Sequence, residues 1–246
     1  MKNISLGLVI LPLLIISCTT DNFDTADSIV SKVSDKKSEK WASLVQSLTP
    51  ENPENVYDYA GKLHNDLLET YSAGNYQYST IAQISEQVHA IAAGNSDVAL
   101  LNLEPNLSDN FEEIQEIINN PEAKLEEAIS NSSMTNAAKI SLSSFMNAAL
   151  LWENEEYGAI YQSIISYESA VMTNANFSAE DKRIILTTSS IARYSLYSDK
   201  QPPHDEDWES SVGNRVGGVS GAIDNSFTAI SRSLITGIVI NNLVAD

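Results

Sequence analysis

This sequence of 246 residues has few of the features on which quick functional assignments rest. It has one cysteine, Cys18, so no disulfide can form within the chain. It has three histidines, and only 14 lysines and arginines against 33 acidic residues. That balance, −19 at pH 7, argues against a nucleic-acid partner, whose phosphates need a basic footprint. It also argues against electrostatic adhesion to anionic lipid heads, and a solvated acidic surface is enough to account for it. There is no Gly-x-Ser-x-Gly elbow, no phosphate-binding loop and no dinucleotide fingerprint. There is no Asn-Gly or Asp-Gly turn between alternating segments, so hairpins and sheets are not expected. No apolar run reaches the roughly 20 residues of a membrane-spanning helix.

What is present begins at the first residues. Met1, Lys2 and Asn3 precede an apolar run from Ile4 to Ile16 that is broken only by Ser5, Gly7 and Pro12. One positive charge, a short hydrophobic region and the small Ser17 describe a secretory signal peptide over residues 1–17. Ile15-Ile16-Ser17-Cys18 resembles the lipobox of bacterial lipoproteins. The resemblance implies cleavage before Cys18, a diacylglyceryl group on its sulfur, palmitate-like acylation, and a chain anchored in the cell envelope by lipid. A lone thiol in an oxidising compartment is a liability unless it is used, and lipidation uses it. Of the 14 basic residues only Lys2 lies in the signal, so the mature chain carries 13 against 33, or −20. Thr19 follows the cysteine in place of the aspartate that retains some lipoproteins in the inner membrane. The expected place is therefore the outer membrane, on its periplasmic or its surface side, with Asp21 and Asp24 a weak surface-export signal.

Residues 18–40 are polar and read as the lipidated cysteine and a flexible tether. From Trp41 the pattern is helical. Val56, Ala60, Leu63, Leu67 and Tyr71 recur at steps of three and four, as do Ile81, Ile84, Val88 and Ile91. Phe111, Ile114 and Ile118 follow a Ser108 cap, and Pro121 stands where a helix tolerates its missing N–H. Ile140, Phe145, Ala149 and Trp152 mark another stripe. So do Tyr157, Ile160, Tyr161, Ile164, Glu168 and Val171, with Glu168 the one discord. Ile184, Thr188, Ile191 and Ser195 follow a Ser178–Asp181 cap. The expectation is an all-α multi-helix bundle of about six to eight helices. Its helical domain would span residues 41–200, and 201–246 would add a Pro/acidic loop and a glycine-bearing helix that packs on it.

In that last segment Gly213, Gly217 and Gly221 fall every four residues, with Ala229, Ser233 and Gly237 continuing the series. This spacing lets helices approach closely, either in a membrane or in a core. Insertion is opposed by energy. Ten Val, Ile, Leu or Phe residues between Val216 and Ile240 favour it by about 3–6 kcal/mol, while Asp224 and Arg232 oppose it by about 5–7 kcal/mol. Val212, Val216, Val219, Ile223, Phe227, Ile230, Leu234 and Ile238 form an ordinary core stripe beside the glycines. The segment is thus expected to be one long helix in the fold, with Gly213, Gly217 and Gly221 at close crossings.

Gly61-Lys62-Leu63-His64-Asn65 and the Gly-bearing segment after Trp208 together resemble a group of uncharacterised helical lipoproteins of Bacteroidota. The resemblance implies no reaction. His64 and His89 border the stripes of neighbouring helices and are an acid–base or metal pair only if the fold brings them together. His204, Asp205 and Asp207 are candidate ligands for a hard cation, but they lack the EF-hand pattern, and an acidic loop ahead of a helix explains them equally well. The adjacent acids Glu112-Glu113, Glu126-Glu127 and Glu155-Glu156 read as solvent face, because neighbours on a helix point about 100° apart. Tyr57, Tyr59, Tyr71, Tyr76 and Tyr78 cluster as core and boundary residues, or as the lining of a glycan or peptide groove. The expected function is non-catalytic binding of a protein or an envelope glycan, with no cofactor and no nucleic acid. The alternatives are a membrane-active or self-associating protein working through residues 212–245, and an envelope hydrolase using carboxylates or His64.

Overall fold

The computed structural model describes residues 48–101, 109–152, 155–200 and 212–244. The signal peptide, Cys18, the tether, Trp41, Ser108 and the candidate cation ligands His204, Asp205 and Asp207 lie outside them. The described residues form α1 (Asp58–Ala73), α2 (Ile81–Gly94), a 3₁₀ turn (Val98–Leu101), α3 (Phe111–Asn119), α4 (Pro121–Asn131), α5 (Asn136–Ala149), α6 (Tyr157–Thr173), α7 (Ala179–Asp199), α8 (Val212–Asp224) and α9 (Ser226–Val244). Among them there is no strand, and the class is all-α as the periodicity predicts. The ninth helix arises because the C-terminal segment is not one helix. It breaks at Asn225 into α8 and α9.

Local chemistry explains where the helices start and stop. Ser178 accepts from the Asp181 backbone N–H while Asp181 accepts from that of Ser178, a complete capping box at α7. Asp181 also accepts from the backbone N–H and hydroxyl of Thr135, which itself caps α5. One carboxylate thus ties together the starts of two helices. Thr80 accepts from the Gln83 N–H at 3.3 Å and opens α2. Pro121 opens α4 at its first turn. At α3 the cap within the described residues is Asn110, whose side chain accepts from Glu113 N–H. α1 ends at Gly74, and Asn75 then takes a left-handed φ of 51° to reverse the chain.

α7, α8 and α9 form the centre. α8 and α9 run antiparallel against each other. α8 also packs on α7 and α4, and α9 packs on α1, α2 and α3. α1 and α6 cover α7. From Ile184 to Leu196 every residue of α7 is buried, and α8 is buried from Gly213 to Ala222. Each fully buried Ile or Leu here contributes about 1.5–3 kcal/mol relative to exposure. The apolar stripes hold for Ala60, Leu63, Leu67, Tyr71, Ile84, Val88 and Ile114. Three positions depart from them. Val56 is 72% exposed because it precedes the first turn of α1. Ile140 is 69% exposed because the buried face of α5 runs through Ala138, Leu142, Phe145 and Ala149. Phe111, at the first position of α3, is exposed at the helix end. The glycine-bearing segment does not stand apart from residues 41–200. Its two helices lie within the same compact unit, which spans 45–246.

Candidate functional site

The discordant Glu168 proves to be the middle of a buried polar network. Its carboxylate accepts from Asn52 Nδ2 at 2.5 Å, Asn55 Nδ2 at 3.1 Å and Ser189 Oγ at 2.8 Å, and Arg193 Nη2 lies 3.4 Å away. Both side chains of the ion pair are fully buried. Arg193 also holds Asp58 at 2.5 Å, and Tyr194 donates to the same carboxylate at 3.2 Å. The network joins α6, α7, the start of α1 and the loop ahead of it. Every member but the partly exposed Asp58 is buried, so the network organises the fold.

The Gly61–Asn65 segment is likewise structural. A Cβ on Gly61 would sit 2.5 Å from the Ser190 carbonyl oxygen of α7, so only glycine permits this crossing, and its N–H donates to Ser190 Oγ at 3.0 Å. Leu63 is core, and Asn65 accepts from Ser198 Oγ. His64 is fully buried, with Nε2 3.1 Å from Ser233 Oγ of α9. Burial pushes its pKa from the ordinary 6.5 down to about 3, so the ring is neutral.

His89 has different partners. Its Nε2 lies 3.1 Å from Asp109, and its ring tilts against Phe227 at 5.8 Å. The hydrogen bond to Asp109 raises its pKa against the opposing effect of burial. Asp109 also accepts from Ser85 and Ser231, so both serine hydroxyls point to the carboxylate and not to the imidazole. That is not the order a nucleophile, base and orienting acid require. The two histidines therefore sit in separate networks. Among the described residues no three His, Cys, Asp or Glu side chains converge as metal ligands.

Gly213, Gly217 and Gly221 face α9 along the hairpin. A Cβ on Gly217 would lie 2.7 Å from the Arg232 carbonyl oxygen, one on Gly221 would overlap the Thr228 carbonyl, and one on Gly213 would overlap Ile240. The small-residue spacing is spent inside the fold. No helix among the described residues is long and apolar enough to cross a membrane.

Among the described residues, two of the surface clefts bear on function. The first, of about 230 Å³, lies between α3, α4 and the α8–α9 hairpin and holds Glu113, Lys124, Glu127, Asp224 and Arg232. Its charges are already matched. Arg232 reaches Glu113 at 3.2 Å and Asp224 at 2.9 Å, and Lys124 reaches Glu127 at 2.9 Å. The second, of about 350 Å³, lies between the α1–α2 loop and the last turns of α9. Tyr76 and Tyr78 line it with Ile84, Val239, Asn242 and Leu243, and Gln77 and Ser79 complete the lining. Tyr76 packs on Tyr71 at 5.2 Å and stacks on Tyr78 at 5.5 Å with planes 6° apart. Asn242 Nδ2 donates to the Tyr78 carbonyl at 2.9 Å and fastens the loop to α9. A Cβ on Gly74 would overlap the Tyr76 ring, so glycine is what lets that ring fold back over the helix end. Of the five clustered tyrosines, this groove collects Tyr76 and Tyr78, with Tyr71 behind them. Tyr57 packs at the core, and Tyr59 faces Ser226. The sequence signals the tyrosine cluster but not its far wall, since Val239, Asn242 and Leu243 lie more than 150 residues downstream. No protein family, curated protein or solved structure matches this chain.

Proposed function

We propose that this chain is a lipoprotein of the cell envelope, held at the outer membrane by lipid on Cys18, and that it works by non-catalytic binding of an envelope component in the tyrosine-lined groove. The lipobox-like Ile15–Cys18 supports the anchor. One observation carries the binding reading. The larger cleft is preformed and aromatic and carries no acid, base or nucleophile in a reactive arrangement, while the chain's ion pairs are engaged elsewhere. A hydrolase has less support, because Glu113, Glu127 and Asp224 each already hold a cation. A membrane-active role for residues 212–245 has less support too, because the residues such a role would expose are buried in the hairpin.

Two experiments test this reading. Cells fed an alkyne analogue of palmitate should label the chain, and the label should vanish in Cys18→Ser. A photoreactive residue at the exposed Gln77 should cross-link to an envelope component in intact cells, and a chain that yields no adduct there would remove the groove from the account.

A further inference from the structure

The binding reading leaves the ligand class open, and the chemistry of the groove narrows it. The chain carries 33 acidic and 14 basic residues, yet among the described residues none of them lines this cleft. The cleft between α3, α4 and the α8–α9 hairpin, smaller by about a third, holds five. A ligand bearing a phosphate, a carboxylate or an ammonium group would find no counter-charge among the described residues of the groove, and burying an unpaired charge is costly. A purely apolar ligand such as an acyl chain is also a poor match. The lining sets the hydroxyls of Tyr76 and Ser79 and the amide of Gln77 among Ile84, Val239 and Leu243, and covering these with hydrocarbon would leave them unsatisfied, while the Tyr78 hydroxyl and Asn242 Nδ2 already donate to Gln87 and to the Tyr78 carbonyl. What remains is a neutral ligand with an apolar face and a rim of hydroxyls.

We infer that the groove is a binding site for a neutral saccharide. A pyranose ring offers axial C–H bonds on one face and equatorial hydroxyls around its edge. The first suits an aromatic platform, and the second suits amides and phenols. The platform is built in advance. Tyr76 and Tyr78 are stacked nearly parallel, Gly74 leaves room for the Tyr76 ring, and Asn75 turns the chain at φ 51°. Behind them the Tyr71 hydroxyl is buried and has no hydrogen-bond partner among the described residues. The volume of about 350 Å³ stands at the small end of the roughly 300–1,000 Å³ of small-molecule sites and suits one or two sugar units.

This inference rests on the binding reading above, and its test separates the two. The purified full chain is titrated by calorimetry with neutral oligosaccharides of glucose, mannose, xylose and N-acetylglucosamine, with oligogalacturonate as the acidic counterpart, and with a mixture of short peptides. At least one neutral oligosaccharide should bind, and oligogalacturonate should bind about tenfold more weakly or not at all. Tyr76→Ala and Tyr78→Ala should each weaken binding about three- to tenfold with the helical spectrum retained. Leu243→Glu, at a rim position 64% exposed, changes the groove without touching the core and should weaken binding as well. Three results would overturn the saccharide assignment: no neutral oligosaccharide bound, a preference for oligogalacturonate, or neutral binding untouched by all three variants. Peptide binding abolished by the same variants would overturn it too, while leaving the binding function in place.

Discussion

Replacing Glu168 by alanine removes the acceptor at the middle of the buried network. Asn52, Asn55 and Ser189 each lose a hydrogen bond, and Arg193 is left fully buried with Asp58 as its remaining carboxylate. Removing one partner of a buried ion pair costs about 3–5 kcal/mol, because the other charge stays desolvated. Surviving contacts of Arg193 with Asp58 and of Asn55 with the Leu186 carbonyl pull toward the lower end, and the stranded amide of Asn52 pulls toward the upper. Glu168→Gln keeps the shape but turns an amide toward donors, at a cost of about 1–3 kcal/mol. Glu168→Leu combined with Arg193→Met removes both charges and should cost less than the sum of the two single changes. Urea unfolding of the mature chain reads these variants and the two single changes. With a slope of about 2–3 kcal/mol per molar, Glu168→Ala should lower the midpoint by about 1–2 M. A loss below about 1 kcal/mol, or strict additivity in the double variant, would refute the reasoning, since it would mean that Glu168 is solvated or Arg193 is neutralised elsewhere.

Four further outcomes follow from the same geometry. Gly221→Ala should destabilise by about 1–3 kcal/mol in thermal melts, because the new methyl meets the backbone of α9 and not a movable side chain. Gly94→Ala, where nothing lies within 4 Å, should instead stabilise by up to about 1 kcal/mol. His64 sets an acid-side dependence. The unfolded chain binds its proton below about pH 6.5 while the folded chain refuses it until about pH 3. Stability should therefore fall as pH drops through that window by up to about 1.4 kcal/mol per unit, and His64→Gln should flatten the curve. His89 acts in the opposite sense, since its raised pKa stabilises the fold below its ordinary 6.5 and that contribution is lost as pH rises through the folded value. His89→Gln should therefore cost more at pH 5.5 than at pH 8.

Much of the helical order was legible because apolar steps of three and four leave little choice. Ala60, Leu63 and Leu67 lie where periodicity puts them. The centre was less legible. α7 buries Thr187, Ser189 and Ser190 beside the expected stripe of Ile184, Thr188, Ile191 and Ser195, although by composition these three suit an outer face. Ser189 donates to the Leu186 carbonyl and to Glu168, and Ser190 donates to the Asp58 carbonyl, so the burial of these two is balanced by local and distant acceptors. No window of sequence contains those partners. Glu168 announced itself as a discord, but Asn52 and Asn55 lie more than 110 residues away. Gly217 and Gly221 lie close against the backbone of α9, and the stripe beside them runs on through the reversal. The turn was hidden because Asp224-Asn225-Ser226 contains neither glycine nor proline, so the segment read as one helix where the fold has two. The tyrosine groove needed both ends of the chain.

The central claim is that α8 and α9 are the core of this protein, which leaves the work to a binding groove and not to a membrane-seeking tail. Hydrogen exchange followed by mass spectrometry on the mature chain, as a monomer and without lipid, tests it most directly. The account predicts that residues 213–222 and 229–239 are among the slowest amides in the molecule, exchanging only with global unfolding and no faster than those of α7. Rapid exchange there, with protection appearing only on self-association or on adding vesicles, would contradict it and return the C-terminal segment to a partner or a membrane.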